Sequence, residues 1–166
     1  LLEVFAAYRA LDPTAALVIA GGGQQESALR SRARELGLGE DVTFLGMSRD
    51  VRTVLQGFDL FVFPSIFEGL GLALIEAQAS GLPCLASDPV PRETAVTDQV
   101  AYLSLAESPE VWAGKILELK EKMPVDARAA RCRQAAVSIR DRGYDISVEA
   151  EKLQRIYLGR PEGGAQ

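Results

Sequence analysis

This sequence has no histidine, only two cysteines and a single tryptophan. Without histidine there is no Ser-His or Cys-His nucleophile and no histidine general base. Any chemistry must then use carboxylates, backbone dipoles or groups from another domain. The two cysteines, Cys84 and Cys132, stand outside any metal-ligand spacing, so a zinc site is argued against twice over. Isolated cysteines suit a reducing compartment, and a cytoplasmic protein is expected. No apolar run reaches the roughly 18 residues that a membrane-spanning helix needs. Positive charge is also short: 18 Lys and Arg stand against 23 Asp and Glu, a net charge of −5. That balance argues against a nucleic-acid partner. Internal repeats and low-complexity segments are absent.

What is present is an ordinary globular composition, 48% hydrophobic and 25% charged over 166 residues. That suits one domain, or one lobe of a larger protein. The chain opens without Met, inside the helix-like segment "LLEVFAAYRALDP". This suggests a fragment.

Periodicity gives the organisation. Residues 1–11 have helical spacing, ended by Asp12-Pro13. "AALVIAGG" is a continuous apolar run stopped by glycines and reads as a buried strand. A helix over 24–36 follows, then a strand "DVTFLG", a helix over 49–57, and a strand "DLFVFPS" broken by Pro64. Next come a helix over 72–79, a strand "PCLAS", one helical turn over 92–97 and a strand "VAYLSL". Helices over 109–123, 126–142 and 147–158 complete the pattern, with a disordered tail expected over 159–166. Strands alternating with helices predict an α/β fold, a Rossmann-like parallel sheet covered on both faces. Ligands in such sheets bind at the carboxyl ends of the strands. The loops that matter therefore begin at Gly21, Gly46, Pro64 and Ser87.

The third of these loops opens the densest stretch of the chain, "FPSIFEGLGLALIEAQASGLPCL", Phe63 to Leu85. Glu68 and Glu76 are eight residues apart. On one helix that spacing would leave them about 80° apart around the axis, so a single helical face does not explain the pair. A turn followed by a helix starting near Gly71 or Leu72 explains it better. Gly69 and Gly71 would leave backbone N–H groups uncovered at the helix start, where the helix dipole favours an anion such as phosphate. Two carboxylates beside that site suit neutral hydroxyls. A nucleotide sugar carries both phosphates and hydroxyls. The same residues also fit a capping box, with Ser65 as cap and Glu68 as its partner, and then the glutamates need bind nothing.

The stretch closely resembles the nucleotide-sugar-binding motif of the family 4 glycosyltransferases, retaining enzymes with the two-domain GT-B fold. The family pattern is P-S-x-x-E-G-x-G-L-x-x-x-E-A-x-A-x-G-x-P. Here it runs from Pro64 to Leu72 and from Glu76 to Pro83 with every fixed position filled. "ALVIAGGG", "LGLGEDVTFLGMSRDV", "GFDLFVFPS" and "YDISVEAEKLQRIY" match as well. The likeness covers nearly the whole chain, residues 1–158, as the C-terminal donor-binding lobe. The wording "EAQASGLPCLASDPVPRETAVT" is most like enzymes of bacterial exopolysaccharide or capsule synthesis.

The resemblance implies that Glu68 faces the hydroxyls of the transferred sugar as the catalytic carboxylate. It implies that Glu76 accepts from the ribose hydroxyls. Gly69, Leu70, Gly71 and Leu72 would offer N–H groups to the sugar and diphosphate. The loop containing Gly46, Arg49 and Val51 would hold the base. The donor would be a nucleoside diphosphate sugar, a UDP-sugar by the exopolysaccharide-like wording, with no metal and no other cofactor. The absence of any Asp-x-Asp agrees, since the other main glycosyltransferase fold uses one. A glycan or lipid-linked acceptor, and any peripheral membrane association, would belong to an N-terminal lobe absent from this chain. This chain alone should bind a donor weakly and transfer nothing.

Two departures stand out. The family has a further strand before residue 1, with a Gly-Arg pair and a Lys for the diphosphate. It sits in mid-sheet between the strands at 16–20 and 59–63, so its absence should leave a gap or force a rearrangement. The usual glycine-rich loop ending in Pro-Glu reads "SDPVPRETAV" here, with Arg92 between Pro91 and Glu93. Competing readings are a nucleotide-sugar epimerase or hydrolase lobe of the same fold, and a non-catalytic α/β binding module such as a signalling receiver. A receiver needs an acceptor Asp at a strand's carboxyl end, whereas Asp59 is at a strand's beginning. Gly21-Gly22-Gly23 reads as a turn, Cys84 as a core residue and Trp112 as packing. Arg128, Arg131 and Arg133 read as a solvated helix face.

Overall fold

A computed structural model describes residues 1–159 of the chain. All but the first residue of the expected tail lies outside them. Five strands alternate with helices in the expected order. Helix α1 (Leu2–Leu11) precedes β1 (Leu17–Ala20), α2 (Glu26–Glu35) and β2 (Val42–Gly46). Then come α3 (Val51–Gln56), β3 (Phe61–Phe63), α4 (Leu72–Ala79) and β4 (Cys84–Ser87). A 3-10 turn at Arg92–Thr94 leads to β5 (Val100–Leu103), and α5 (Pro109–Lys122), α6 (Arg128–Asp141) and α7 (Ile146–Tyr157) close the chain. The helix expected over 126–142 is preceded by a 3-10 turn at Val125–Ala127, behind Pro124, and becomes α-helical only at Arg128.

All strand pairs are parallel, but the sheet is not continuous. β1 pairs with β2, and β3, β4 and β5 pair in that order. No ladder joins β1 to β3. The break falls at the position where the resemblance leaves room for one more strand. A cavity of about 710 Å³ opens between the two facing edges, lined on one side by Leu17–Gly21 and on the other by Leu60–Phe63. The gap also explains why the strands are not uniformly buried. Central β4 is wholly buried, whereas β1 and β3 are only partly so, although their sequences are equally apolar.

Helix α1 holds the two half-sheets together because its apolar residues point two ways. Val4 and Tyr8 enter a cluster with Leu85, Trp112 and Ile116. Leu2 and Phe5 enter another with Ala33, Leu38 and Val42. Each large buried side chain contributes about 1.5–3 kcal/mol relative to exposure, so α1 is a substantial brace. Arg9 reinforces it with an ion pair to Asp41 at 2.6 Å, and Asp12 with one to Lys120 of α5 at 2.7 Å. On the opposite face of β3–β5, α3 and α4 cover a third cluster containing Leu55, Leu74, Leu82 and Val90. Trp112 and Cys84 are core residues, as expected, and the Trp112 indole N–H donates to the Ser104 carbonyl.

Of the arginine run on α6, Arg133 is exposed as expected, but Arg128 and Arg131 turn inward. Arg128 sends its guanidinium to the carbonyls of Leu55, Gln56 and Phe58, at the end of α3, and of Ser80, at the end of α4. Arg131 donates to the carbonyls of Gly81 and Pro124. Carbonyls left free at helix ends carry partial negative charge, which a cation satisfies. α6 can reach them because it packs closely on the end of α4. A β-carbon added to Gly81 would lie 2.7 Å from the Cys132 sulfur.

Candidate functional site

The site is built where β2, β3 and β4 end. β3 stops at Phe63 before Pro64, and the chain crosses the sheet edge through residues 64–71 to reach α4. Ser87, at the end of β4, secures that crossing: its hydroxyl donates to the Ser65 carbonyl. α4 is made of strong helix formers and has sharp ends. At the start, Gly71 is the N-cap, with a left-handed backbone at φ 71° and no side-chain cap bond. At its other end, the N–H of Gly81 donates to Gln78 and that of Leu82 to Ala77, the paired closure that a left-handed glycine allows.

This geometry decides against the capping box. Ser65 stands six residues before the N-cap Gly71, and Glu68 three residues before it, so neither caps α4. The Ser65 hydroxyl instead donates to the Glu68 carboxylate at 2.7 Å, which orients a half-buried acid in the turn. The backbone N–H groups of Gly69, Leu70, Gly71 and Leu72 find no acceptor among the described residues. They are the groups that the helix dipole makes attractive to an anion.

Glu76 lies one turn further into α4. It is exposed and lines the cavity at its carboxyl end, together with Ala73, Gly21, Met47, Ser48 and Val51. The loop after β2 reaches this point because Gly46 takes φ 66° and its carbonyl accepts the Gly21 N–H at 2.8 Å, joining the two loops. Asp50 then caps α3, accepting from the Thr53 N–H and hydroxyl, which also draws its carboxyl below the usual carboxylate range. Arg49 is exposed and forms no ion pair with Asp50, whose oxygens are occupied by Thr53.

The expected residues thus fall into two groups. Glu76 and Val51 line the cavity, whereas Gly46 and Arg49 of the same loop do not. Glu68 and Gly69–Leu72 lie outside its lining, on the same edge of the sheet. Around them the surface is apolar and bare: Ile66 and Phe67 are 82% and 84% exposed, and Met47 is 83% exposed. The three-glycine run, expected to be a turn, instead begins with a bridge from Gly21 to Gly46, and the chain turns only at Gln24–Gln25; Gly21 also lines the cavity. Arg92 is committed elsewhere, paired with Asp88 at 3.0 Å and stacked 3.7 Å over the Tyr102 ring. Glu93 is left exposed beside it. Among the described residues no group of three acidic or cysteine side chains is placed to hold a metal ion. No helix among them is long and apolar enough to cross a membrane.

One residue escaped the reading of the sequence. Gln78 is fully buried beneath the site and bonds to the loop after β4. The signal available was a neutral polar side chain among the apolar residues of a short helix, on the side away from Glu76.

Comparison with known proteins gives a consistent answer. A family model described as glycosyl transferases group 1 matches residues 1–138. The protein EpsF of Bacillus subtilis strain 168 is 36% identical over 144 residues, covering 85% of this chain and 36% of that protein. An Escherichia coli enzyme is 25% identical over 150 residues, covering 89% of this chain and 38% of that protein. It is named UDP-Gal:alpha-D-GlcNAc-diphosphoundecaprenol alpha-1,3-galactosyltransferase. The chain therefore spans little more than a third of these relatives. In fold it is similar to the pneumococcal O-GlcNAc transferase GtfA, solved with UDP and GlcNAc, at a TM-score of 0.76. That alignment has 22% identity and covers 96% of this chain and 32% of that one. It is also similar to Anabaena HepE solved with UDP-glucose, at a TM-score of 0.72 and 18% identity, covering 95% of this chain and 44% of that one.

Proposed function

The chain belongs to the glycosyl transferases group 1 family, and we propose that it is the donor-binding lobe of a retaining, family 4 enzyme. In this reading the full-length cytoplasmic protein moves a hexose from a UDP-sugar to a glycan or lipid-linked acceptor in polysaccharide synthesis. One observation carries the reading. Glu76 and the Met47–Val51 loop line the cavity between the half-sheets, and the acceptor-free N–H groups of Gly69–Leu72 stand at the start of the helix that carries Glu76. Glu76 beside the loop suits a nucleoside, with its ribose hydroxyls donating to the carboxylate. The N–H groups suit the diphosphate, on which negative charge grows as the sugar departs. Glu68, oriented by Ser65, suits the hydroxyls of the sugar. The dipole of α4, with cations supplied from segments outside these residues, would carry the positive potential without a metal.

The same proposal fills the gap between β1 and β3 with a parallel strand from the segment that precedes Leu1 in the full-length protein. The acceptor would be held by an N-terminal lobe. A longer chain that includes that segment should protect the amides of Val18, Ala20 and Val62, which face the gap, from hydrogen exchange. Unchanged exchange there would remove the strand from the proposal.

The test of the site is a calorimetric titration with UDP. The parent chain should bind, and Glu76→Ala should lose about 1.5–3 kcal/mol of affinity, the scale of a hydrogen bond to a charged group. Equal affinities would leave Glu76 as a solvated helix residue. The same titration in excess EDTA should be unchanged. A loss there would call for a metal.

A further inference from the structure

We infer that Gln78 is a positioning residue, which sets the donor-site end of α4 by bonding it to the loop after β4. The inference rests on the donor-binding reading above. Gln78 is fully buried, and its amide uses its full hydrogen-bonding capacity. Its nitrogen donates to the Leu74 carbonyl of its own helix at 3.0 Å and to the Thr94 carbonyl at 2.7 Å. Its oxygen accepts the Thr97 N–H at 3.0 Å and the Thr97 hydroxyl at 2.9 Å. One side chain thus clasps residues 94–97 to the middle of α4.

The clasped loop is also the surface on which the start of α4 rests. Gly71, the N-cap, is buried, and a β-carbon there would stand 3.7 Å from both Thr94 and Val90 and 3.6 Å from Phe63. Thr94 is in turn tied back to the Pro91 carbonyl through its N–H and its hydroxyl. Gly71 therefore has its position fixed from one side by β3 and from the other by the loop that Gln78 holds. The N–H groups of Gly69–Leu72 and the Glu76 carboxylate share that frame. An anion site works by having its donors already aimed, so a small drift of the frame weakens it. Packing alone would accept a leucine or methionine at residue 78. What requires glutamine is the pair of carbonyls on one side and the pair of donors on the other.

The experiment uses Gln78→Leu and Gln78→Glu in the 166-residue chain, with amide hydrogen exchange and UDP-glucose titration as separate readouts. Gln78→Leu leaves the Thr94 carbonyl and both Thr97 donors without partners. Exchange at Leu74, Val90, Thr94 and Ala95 should rise about tenfold while α1 and α5 stay unchanged, as expected for a local opening that follows loss of a buried hydrogen bond. UDP-glucose affinity should fall by about the same factor.

Gln78→Glu supplies a readout that a merely structural role would not give. A protonated carboxyl can donate to Thr94 and accept from Thr97, whereas a carboxylate would face two carbonyl oxygens. Burial raises the pKa of such a carboxyl, so affinity should be near the parent's at about pH 5.5 and fall at about pH 8.5. The parent should show no such slope. The charged and titratable groups on the packed elements are Glu76 on α4, Arg52 on α3, Cys84 on β4, Asp88, Arg92, Glu93 and Asp98 in the loop, and Arg128, Arg131, Cys132, Arg133, Arg140 and Asp141 on α6. None of them bonds to Gln78.

A parent chain that fails to bind UDP-glucose would defeat the donor-binding reading, and the exchange measurement would still decide the clasp. Unchanged exchange at Val90–Ala95 in Gln78→Leu would overturn the positioning role. So would a pH-independent affinity in Gln78→Glu.

Discussion

The Ser65 hydroxyl donates to the Glu68 carboxylate across 2.7 Å, and both residues lie ahead of the N-cap of α4. The pair that looks like a helix cap is an oriented acid in a turn. Had Ser65 been the cap, its replacement by alanine would cost about 1 kcal/mol of stability. Ser65→Ala should instead change the urea midpoint little, while weakening the binding of a UDP-sugar more than that of UDP. A variant with a clear loss of stability and equal losses for both ligands would restore the capping role.

Gly81 and Cys132 are in contact at the α4–α6 crossing, where a β-carbon would fall 2.7 Å from the sulfur and 2.8 Å from the Arg128 carbonyl. Gly81→Ala combines the left-handed backbone penalty with overpacking and should cost about 2–5 kcal/mol. Gly37 has a similar φ of 71° but open space around it. Gly37→Ala should cost only about 1–2 kcal/mol. Equal losses in chemical denaturation would mean that the crossing is not tight.

Arg128 closes the ends of α3 and α4 with one guanidinium. Arg128→Ala should cost about 2–4 kcal/mol, because several helix-end carbonyls lose a charged donor at once. Arg128→Lys should recover less than half of that, since one ammonium cannot span carbonyls that a planar fork reaches together. Full recovery by lysine would reduce the role to charge alone.

Acid should loosen the brace between α1 and α5. The hydrogen bond from Lys120 holds the Asp12 carboxyl well below the usual range, helped by the Thr14 hydroxyl and N–H. Hydrogen bonds from Lys115 and Lys122 lower Glu118 to about 2. A depressed carboxyl contributes stability that is complete above the unfolded pKa and is lost as pH falls through the folded one. Thermal stability should therefore drop as pH falls below about 4, the ordinary carboxylate range. In Asp12→Asn the drop should be shallower. Parallel acid profiles for the two chains would show that this ion pair contributes nothing.

Much of the candidate site was legible in the sequence because its determinants are local. The glycines at 69 and 71, the break at Pro64 and the eight-residue interval between Glu68 and Glu76 define a turn and a helix start within one short stretch. Alternating apolar runs likewise specified a parallel α/β fold and the order of its elements. The fates of Arg128 and Gln78 were not legible. Arg128 reaches carbonyls 48 to 73 residues earlier in the chain. Gln78 meets Thr94 and Thr97 only once β4 has brought that loop across the helix. Whether Ser65 caps a helix or steadies an acid also depends on where the helix begins, and the left-handed backbone at Gly71 sets that point. The sequence by itself determined which residues can form a turn, a strand or an anion-facing helix start, since those follow from backbone preference and side-chain period. The tertiary structure alone decided which side chains clasp, cap or line a cavity. It also decided between the gap and the rearrangement expected beside β1, in favour of an open interval between β1 and β3, because long-range hydrogen bonds exist only after separate elements have packed.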